Sequence, residues 1–184
     1  FEEVKDEIVK LNKESRNYFK FAPGSQASEW EEFYNDGIAA IDYSNINIGD
    51  LNQFEDYKEM HKMAGFSEEV VSNQAQNLWF FKTANKGDVI FANKGVNTCL
   101  GIGIIDSDYY YDKNTSGYNH RRKVNWITEK VYQYKSQTLK DYATLFRPDT
   151  FSPTKPWEFL LSEYARLFPE LVPVFQKQNL IFNS

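Results

Sequence analysis

The residues best equipped to engage a ligand are gathered in one stretch, 87–127, which reads GDVIFANKGVNTCLGIGIIDSDYYYDKNTSGYNHRRKVNWI. It holds three consecutive tyrosines, Tyr109, Tyr110 and Tyr111, followed by the basic run His120, Arg121, Arg122, Lys123. Aromatic faces stack on planar ligands, and cations beside them meet phosphates, so this combination points to recognition rather than catalysis. Three successive tyrosines cannot all face one core, and at least one must face outward or into a pocket.

Other chemistries find little support. The chain has two histidines, His61 and His120, and neither has a partner at metal-ligand spacing. A Cys99/His120 nucleophile pair lacks any visible activation. Asp106, Asp108 and Asp112 begin like a calcium loop but lack its glycine and its terminal glutamate. Gly101 and Gly103 do not open a helix and form no dinucleotide loop. We therefore expect a binding module with no catalysis of its own, no metal and no cofactor.

A net charge of −5 argues against a simple electrostatic nucleic-acid binder, so any phosphate contact needs a locally basic face. The single cysteine, Cys99, precludes an intrachain disulfide and suits a reducing cytoplasm. No apolar run approaches the roughly twenty residues of a membrane span, and no signal peptide is visible. The chain begins with Phe1, and a domain of a larger protein is the expectation.

The elements that must position these residues follow from periodicity and punctuation. Residues 2–16 read as a helix with Val4, Ile8 and Leu11 on one stripe. Asn17–Phe21 reads as a strand ended by Pro23-Gly24. Ser28 and Glu31 have capping-box spacing for a helix that Gly37 closes. Strands are expected at 38–43, 88–93, 98–105, 120–128 and 131–135, with Val124 and Trp126 facing inward. Helices are expected from Phe54 to Ala64 and from Glu68 to Ala84. The alternating glycines 101 and 103 imply a close backbone or a sharply curved sheet. PDTFSPTKP, from Pro148, reads as a linker, and Pro156 opens a last helix.

The succession YFKFAPGSQASEWEEFYNDGIAAI, GDL, GDVIFANKG, GIGII, SDYYYD and HRRKVNWI, from Tyr18 to Ile127, resembles the EVE/YTH-like domains of the PUA-like superfamily. It is most similar to those fused to McrB-type GTPases of modification-dependent restriction systems. The resemblance implies an α+β fold, a small curled mixed β-barrel flanked by helices. It divides the chain into an N-terminal helix (1–16), the EVE/YTH-like domain (17–147) and a linker with a C-terminal helical extension (148–184).

The implied function is capture of a modified base, flipped from its duplex into an aromatic cage. N6-methyladenine is the first choice and 5-methylcytosine the second. Tyr43 and Ser44 stand at the first cage position and Tyr109, Tyr110 and Tyr111 at the second. Ser25, Gln26 and Asp50 stand where base-edge contacts are made. The cations available for flanking phosphates are His120, Arg121, Arg122, Lys123, Lys113 and Lys94. Modified double-stranded DNA is the expected partner, without a membrane, and a larger AAA+ GTPase or ATPase chain the expected setting. An RNA-binding reader of methylated adenine and a protein-interaction domain are the alternatives.

Overall fold

The computed structural model describes residues 16–135 and 138–181. The helix expected at 2–16 therefore lies outside the described residues but for its last position. Eight strands form one curled mixed sheet: β1 (Tyr18–Phe21), β2 (Ile38–Ile41), β3 (Val89–Lys94), β4 (Thr98–Ile105), β5 (Tyr110–Tyr111), β6 (His120–Thr128), β7 (Tyr132–Gln133) and β8 (Phe151–Pro153). The order is β2-β6-β4-β3-β1-β8, with β5 on β6 and β7 on β4. Among the described residues only the β1–β3 pair is parallel. The flanking helices are α1 (Trp30–Asp36), α2 (Tyr57–Met63), α3 (Asn73–Thr83), α4 (Trp157–Leu167) and α5 (Val172–Lys177).

Strand parity divides the core. On one face Phe19, Phe21, Ile90, Ala92, Leu100 and Val124 pack with Phe33, Leu78 and Phe81 from α1 and α3. On the other, Tyr18, Val89, Phe91, Cys99 and Ile102 pack beneath α4 and α5 through Leu160, Leu161, Tyr164 and Phe175. Because both faces are covered, β1 and β3 read as nearly continuous apolar runs rather than alternating ones.

The curl has a visible local cause. A Cβ on Gly101 would run into the Thr128 carbonyl oxygen and lie 2.9 Å from the Trp30 ring. One on Gly103 would sit 2.5 Å from Val124 and 2.6 Å from Trp126. The two glycines let β6 and its tryptophan close over β4, and Trp126 meets Trp30 edge to face at 4.8 Å.

Several boundaries differ from expectation. Helix α1 begins at Trp30, not Ser28, because Ser28 ends a 3-10 turn (Ser25–Ala27) and makes no side-chain cap. Asp56 and Ser72 are the working caps of α2 and α3, accepting from Glu59 N at 2.8 Å and Ala75 N at 3.1 Å. Phe54 and Glu68 thus fall outside the helices. The stretch read as a linker contains β8, which pairs antiparallel with β1 and places Phe151 fully in the core. The segment after it is equally integrated: the Tyr18 and Trp157 rings stack at 3.9 Å, and Tyr164 Oη donates to the Lys130 carbonyl at 2.6 Å. Among the described residues no helix is long and apolar enough to cross a membrane.

Candidate functional site

The two edges of the sheet meet at one place. The end of β2 (Ala40, Ile41) and the segment entering β8 (Pro148–Thr150) line the same cleft, together with the chain leaving β1. The cleft occupies the seam where the curled sheet stops short of closing. Its volume is about 340 Å3, near the lower end of ligand sites.

The first wall is the turn after β1. Gly24 has φ 77°, and a side chain there would meet Ser28 Oγ at 2.6 Å, Glu29 Cγ at 2.9 Å and Tyr118 Oη at 3.1 Å. Gln26 and Ala27 follow with φ of 54° and 58°, both left-handed, a conformation costing about 1–3 kcal/mol for a side-chain-bearing residue. Hydrogen bonds from Ala27 N to Gly24 O and from Glu29 N to Pro23 O hold the turn. Ser25 lines the cleft and is exposed, and Gln26 is exposed beside it.

Tyr118 is the aromatic residue of the cleft. Its backbone N–H donates to Asp42 Oδ2 at 3.2 Å, and its carbonyl accepts from Arg121 Nε at 2.9 Å. Its ring meets Phe33 edge on at 5.5 Å. Backbone and ring are thus fixed from three sides, at a left-handed φ of 50° that follows Gly117.

The opposite wall is held from the core. Asn77 Oδ1 accepts from both Thr150 N and Phe151 N, and Ala22 N donates to the Thr150 carbonyl. Asp149 is tied to Lys20, Ser152 and Arg147. Tyr43 stands behind this wall. It shares a hydrogen bond with the Thr150 side chain, and burial pushes its phenol up to about 12.

The expected cage is therefore not assembled as expected. Tyr109 is buried; its hydroxyl accepts from Leu51 N at 3.1 Å and shares a hydrogen bond with His120 Nδ1 at 2.7 Å. No free ring face remains there for a ligand. Tyr110 and Tyr111 are half-buried on β5, paired with Arg121 and His120. Ser44 is exposed in the turn after Tyr43. Asp50 caps the 3-10 turn Leu51–Gln53 by accepting from Asn52 N at 2.9 Å and does not line the cleft.

The basic run also divides. Arg122 is 1% exposed, and its guanidinium donates to the Ser107 carbonyl at 3.1 and 2.9 Å and to the Phe81 carbonyl at 2.7 Å. Burial pushes its pKa down, against the pull of Asp108 and Asp88. His120 is buried beside Tyr109, and burial lowers it to about 4, so it is neutral and carries no charge to a phosphate. Both belong to the core rather than to a phosphate surface. Arg121 is partly exposed at the cleft, and Lys94, Lys113 and Lys123 are exposed. Lys94 ends β3 at the sheet end where β1 delivers its turn, as the Phe21–Ala92 register shows.

Two site residues escaped the reading from sequence. Arg147, 66% exposed beside Asp149, is a cation next to the cleft, the last residue before the stretch read as a linker. Tyr118 was passed over for the tyrosine triplet; it stands alone two residues before β6, after Gly117.

Within the cleft the charged groups are carboxylates, Asp42 and Asp149, and the cations stand outside it. That arrangement suits a neutral ligand edge rich in N–H donors inside and phosphates outside. Cys99 lies on the other face of the sheet, its thiol pushed up to about 12 by burial, and does not meet His120. Among the described residues no three His, Cys, Asp or Glu side chains gather to hold a metal.

No curated protein matches the chain. A solved structure with a similar arrangement is the YTH domain of Zygosaccharomyces rouxii MRB1 protein in complex with N6-methyladenosine RNA. It is 15% identical, with a TM-score of 0.47, over 83% of this chain and 86% of that one. Residues 19–147, from β1 through the sheet to the edge of the cleft, match the family described as Domain of unknown function (DUF8426), and the chain belongs to that family.

Proposed function

We propose that this domain is a nucleic-acid-binding module that takes a modified base, flipped out of duplex DNA, into the seam cleft. The observation that carries the reading is the cleft itself, walled by Tyr118 and a strained turn, free of internal cations, with Arg121 and Arg147 beside it. The succession of sequence stretches that resembles EVE/YTH-like domains supports it, and in that setting the module targets a McrB-type restriction complex whose catalysis lies in another domain. N6-methyladenine remains the first-choice ligand.

The energetics are of the right size. Flipping a paired base costs a few kcal/mol, returned by stacking and edge hydrogen bonds. One buried methyl adds about 0.8 kcal/mol. Phosphate contacts through Arg121, Arg147 and Lys94 set the register without reading sequence.

The test is a titration of labelled duplexes that differ only in one base, unmodified, N6-methyladenine or 5-methylcytosine, in DNA and in RNA, at two salt concentrations. One modified DNA duplex is expected to bind several-fold more tightly than its unmodified match, with affinity falling as salt rises. Preference for a methylated RNA over every DNA would transfer the reading to RNA. Equal affinity for all duplexes would end it.

A further inference from the structure

A second hollow lies against the Pro148–Asp149 segment. These two residues line the seam cleft and also a groove of about 540 Å3 between α3 and the chain on either side of β8. The groove is the larger of the two and lies within the size range of ligand sites. One stretch of chain is thus a wall common to both, and its crest, Arg147 and Pro148, is exposed.

Two properties of the groove point to a nucleotide. The first is charge. The chain carries −5 overall, yet the charged residues lining the groove are two cations, Arg147 and Lys155, against one carboxylate, Asp149. That carboxylate is already engaged. Its Oδ1 lies 3.6 Å from the buried Lys20 Nζ and accepts from Ser152 Oγ at 2.8 Å, and its Oδ2 lies 3.5 Å from Arg147 Nε. Lys155 is exposed and pairs with no carboxylate among the described residues. A local positive surplus on an acidic chain suits a phosphate.

The second property is aromatic. Phe80 on α3 and Tyr142 line the groove and are half-buried. Among the described residues neither meets another ring, whereas the neighbouring Phe81 packs edge on against Phe151 at 5.1 Å. A phosphate alone needs no aromatic lining; a base does.

Resting on the base-capture reading above, we infer that the groove receives the nucleotide adjacent to the flipped base on the same strand, its base against Phe80 and Tyr142 and its outer phosphate near Lys155. The strand crosses the wall at Pro148, and Arg147 on the crest meets the phosphate that joins the two nucleotides. The seam cleft holds no cation of its own, so the charge that retains the strand on this side comes from the groove. Stacking accepts every base, so the groove extends the footprint without adding a sequence preference.

The test uses duplex DNA carrying one modified base, N6-methyladenine or 5-methylcytosine, whichever binds more tightly, with a stable abasic nucleotide on its 5′ side or on its 3′ side. An abasic neighbour loosens the duplex and eases flipping on either side, so a groove on one side is what makes the two differ. The wild-type chain is expected to bind the two duplexes with affinities at least about fivefold apart, the low end for one stacked base. Phe80→Leu keeps an apolar side chain against the core and removes the ring face, and is expected to bring the two within about twofold. Should this variant be unfolded by circular dichroism, Tyr142→Leu gives the same readout. Equal wild-type affinity for the two abasic duplexes, or a folded variant that keeps the full difference, overturns this inference while leaving base capture standing. Identical wild-type affinity for modified and unmodified duplexes overturns both.

Discussion

Arg121 and Arg122 are adjacent in sequence and opposite in role, and substituting each by methionine separates the two. Arg122→Met keeps the length of the side chain and deletes three hydrogen bonds, leaving the Ser107 and Phe81 carbonyls without that donor. Each orphaned buried acceptor costs about 1–3 kcal/mol, so the two carbonyls together cost about 2–6 kcal/mol. We take about 3–5 kcal/mol as the loss, which for a domain of this size lowers Tm by roughly 6–20 °C. Arg121→Met deletes one hydrogen bond, from Nε to the Tyr118 carbonyl, on a partly exposed side chain. Its loss of stability is about 1 kcal/mol or less. Its effect falls instead on binding, where removing one phosphate contact flattens the slope of log affinity against log salt by about 1. Differential scanning fluorimetry and salt-series titrations measure both. Arg122→Met with an unchanged Tm and a flattened salt slope would refute the assignment of Arg122 to the core and return it to the phosphate surface.

Three further outcomes follow from the same geometry. Tyr118→Ala should remove preference for the modified duplex, by about 1–3 kcal/mol of stacking, while leaving salt-sensitive binding in a chain that still folds; titration against matched duplexes, with circular dichroism on the variant, checks it. Gly101→Ala should cost at least about 1–3 kcal/mol because its Cβ meets the Thr128 backbone carbonyl, which cannot swing away like a side chain, and chemical denaturation measures the loss. His120 is lowered by burial to about 4, so below the ordinary histidine value of 6.5 the unfolded chain takes up a proton that the native state refuses. Stability attributable to this group is therefore complete above about pH 6.5 and is lost as pH falls toward 4, at up to about 1.4 kcal/mol per pH unit. The difference in that slope between the wild-type chain and His120→Gln is the measurement.

Much of the sheet is legible in the sequence. Strands β4 and β6 coincide with their expected spans because each is long enough for its pattern to show, and the alternating glycines announce the tight curl at β4. Strand β8 is not legible. Three residues, Phe151–Pro153, carry no periodicity, and proline, serine and threonine around them imitate a linker; only the open edge of β1 makes them a strand. The split of the basic run was within reach. The parity that turns Val124 and Trp126 inward also turns His120 and Arg122 inward, but the habit of arginine to stay outside conceals it until the two carbonyl acceptors come into view. The tyrosine triplet does not line the cleft, because clustering along the chain is not clustering in space. Tyr109 is drawn into the core by Leu51 and His120, whereas Tyr118, a single aromatic after a glycine, stands in the cleft.

The pairing of β8 with β1 has a consequence for where this protein can be cut. The family match stops at residue 147, yet Asp149 and Thr150 line the cleft and Phe151 fills the core beyond that point. A chain ending at 147 would strip the outer partner from β1 and bare the backbone donors and acceptors of Tyr-Phe-Lys-Phe along one side. An apolar strand with an open edge recruits the edges of other molecules. Such a fragment would have the matched stretch of the family and only part of the cleft wall, and its open edge would favour self-association. The family match ends short of the strand that covers the outer edge of β1.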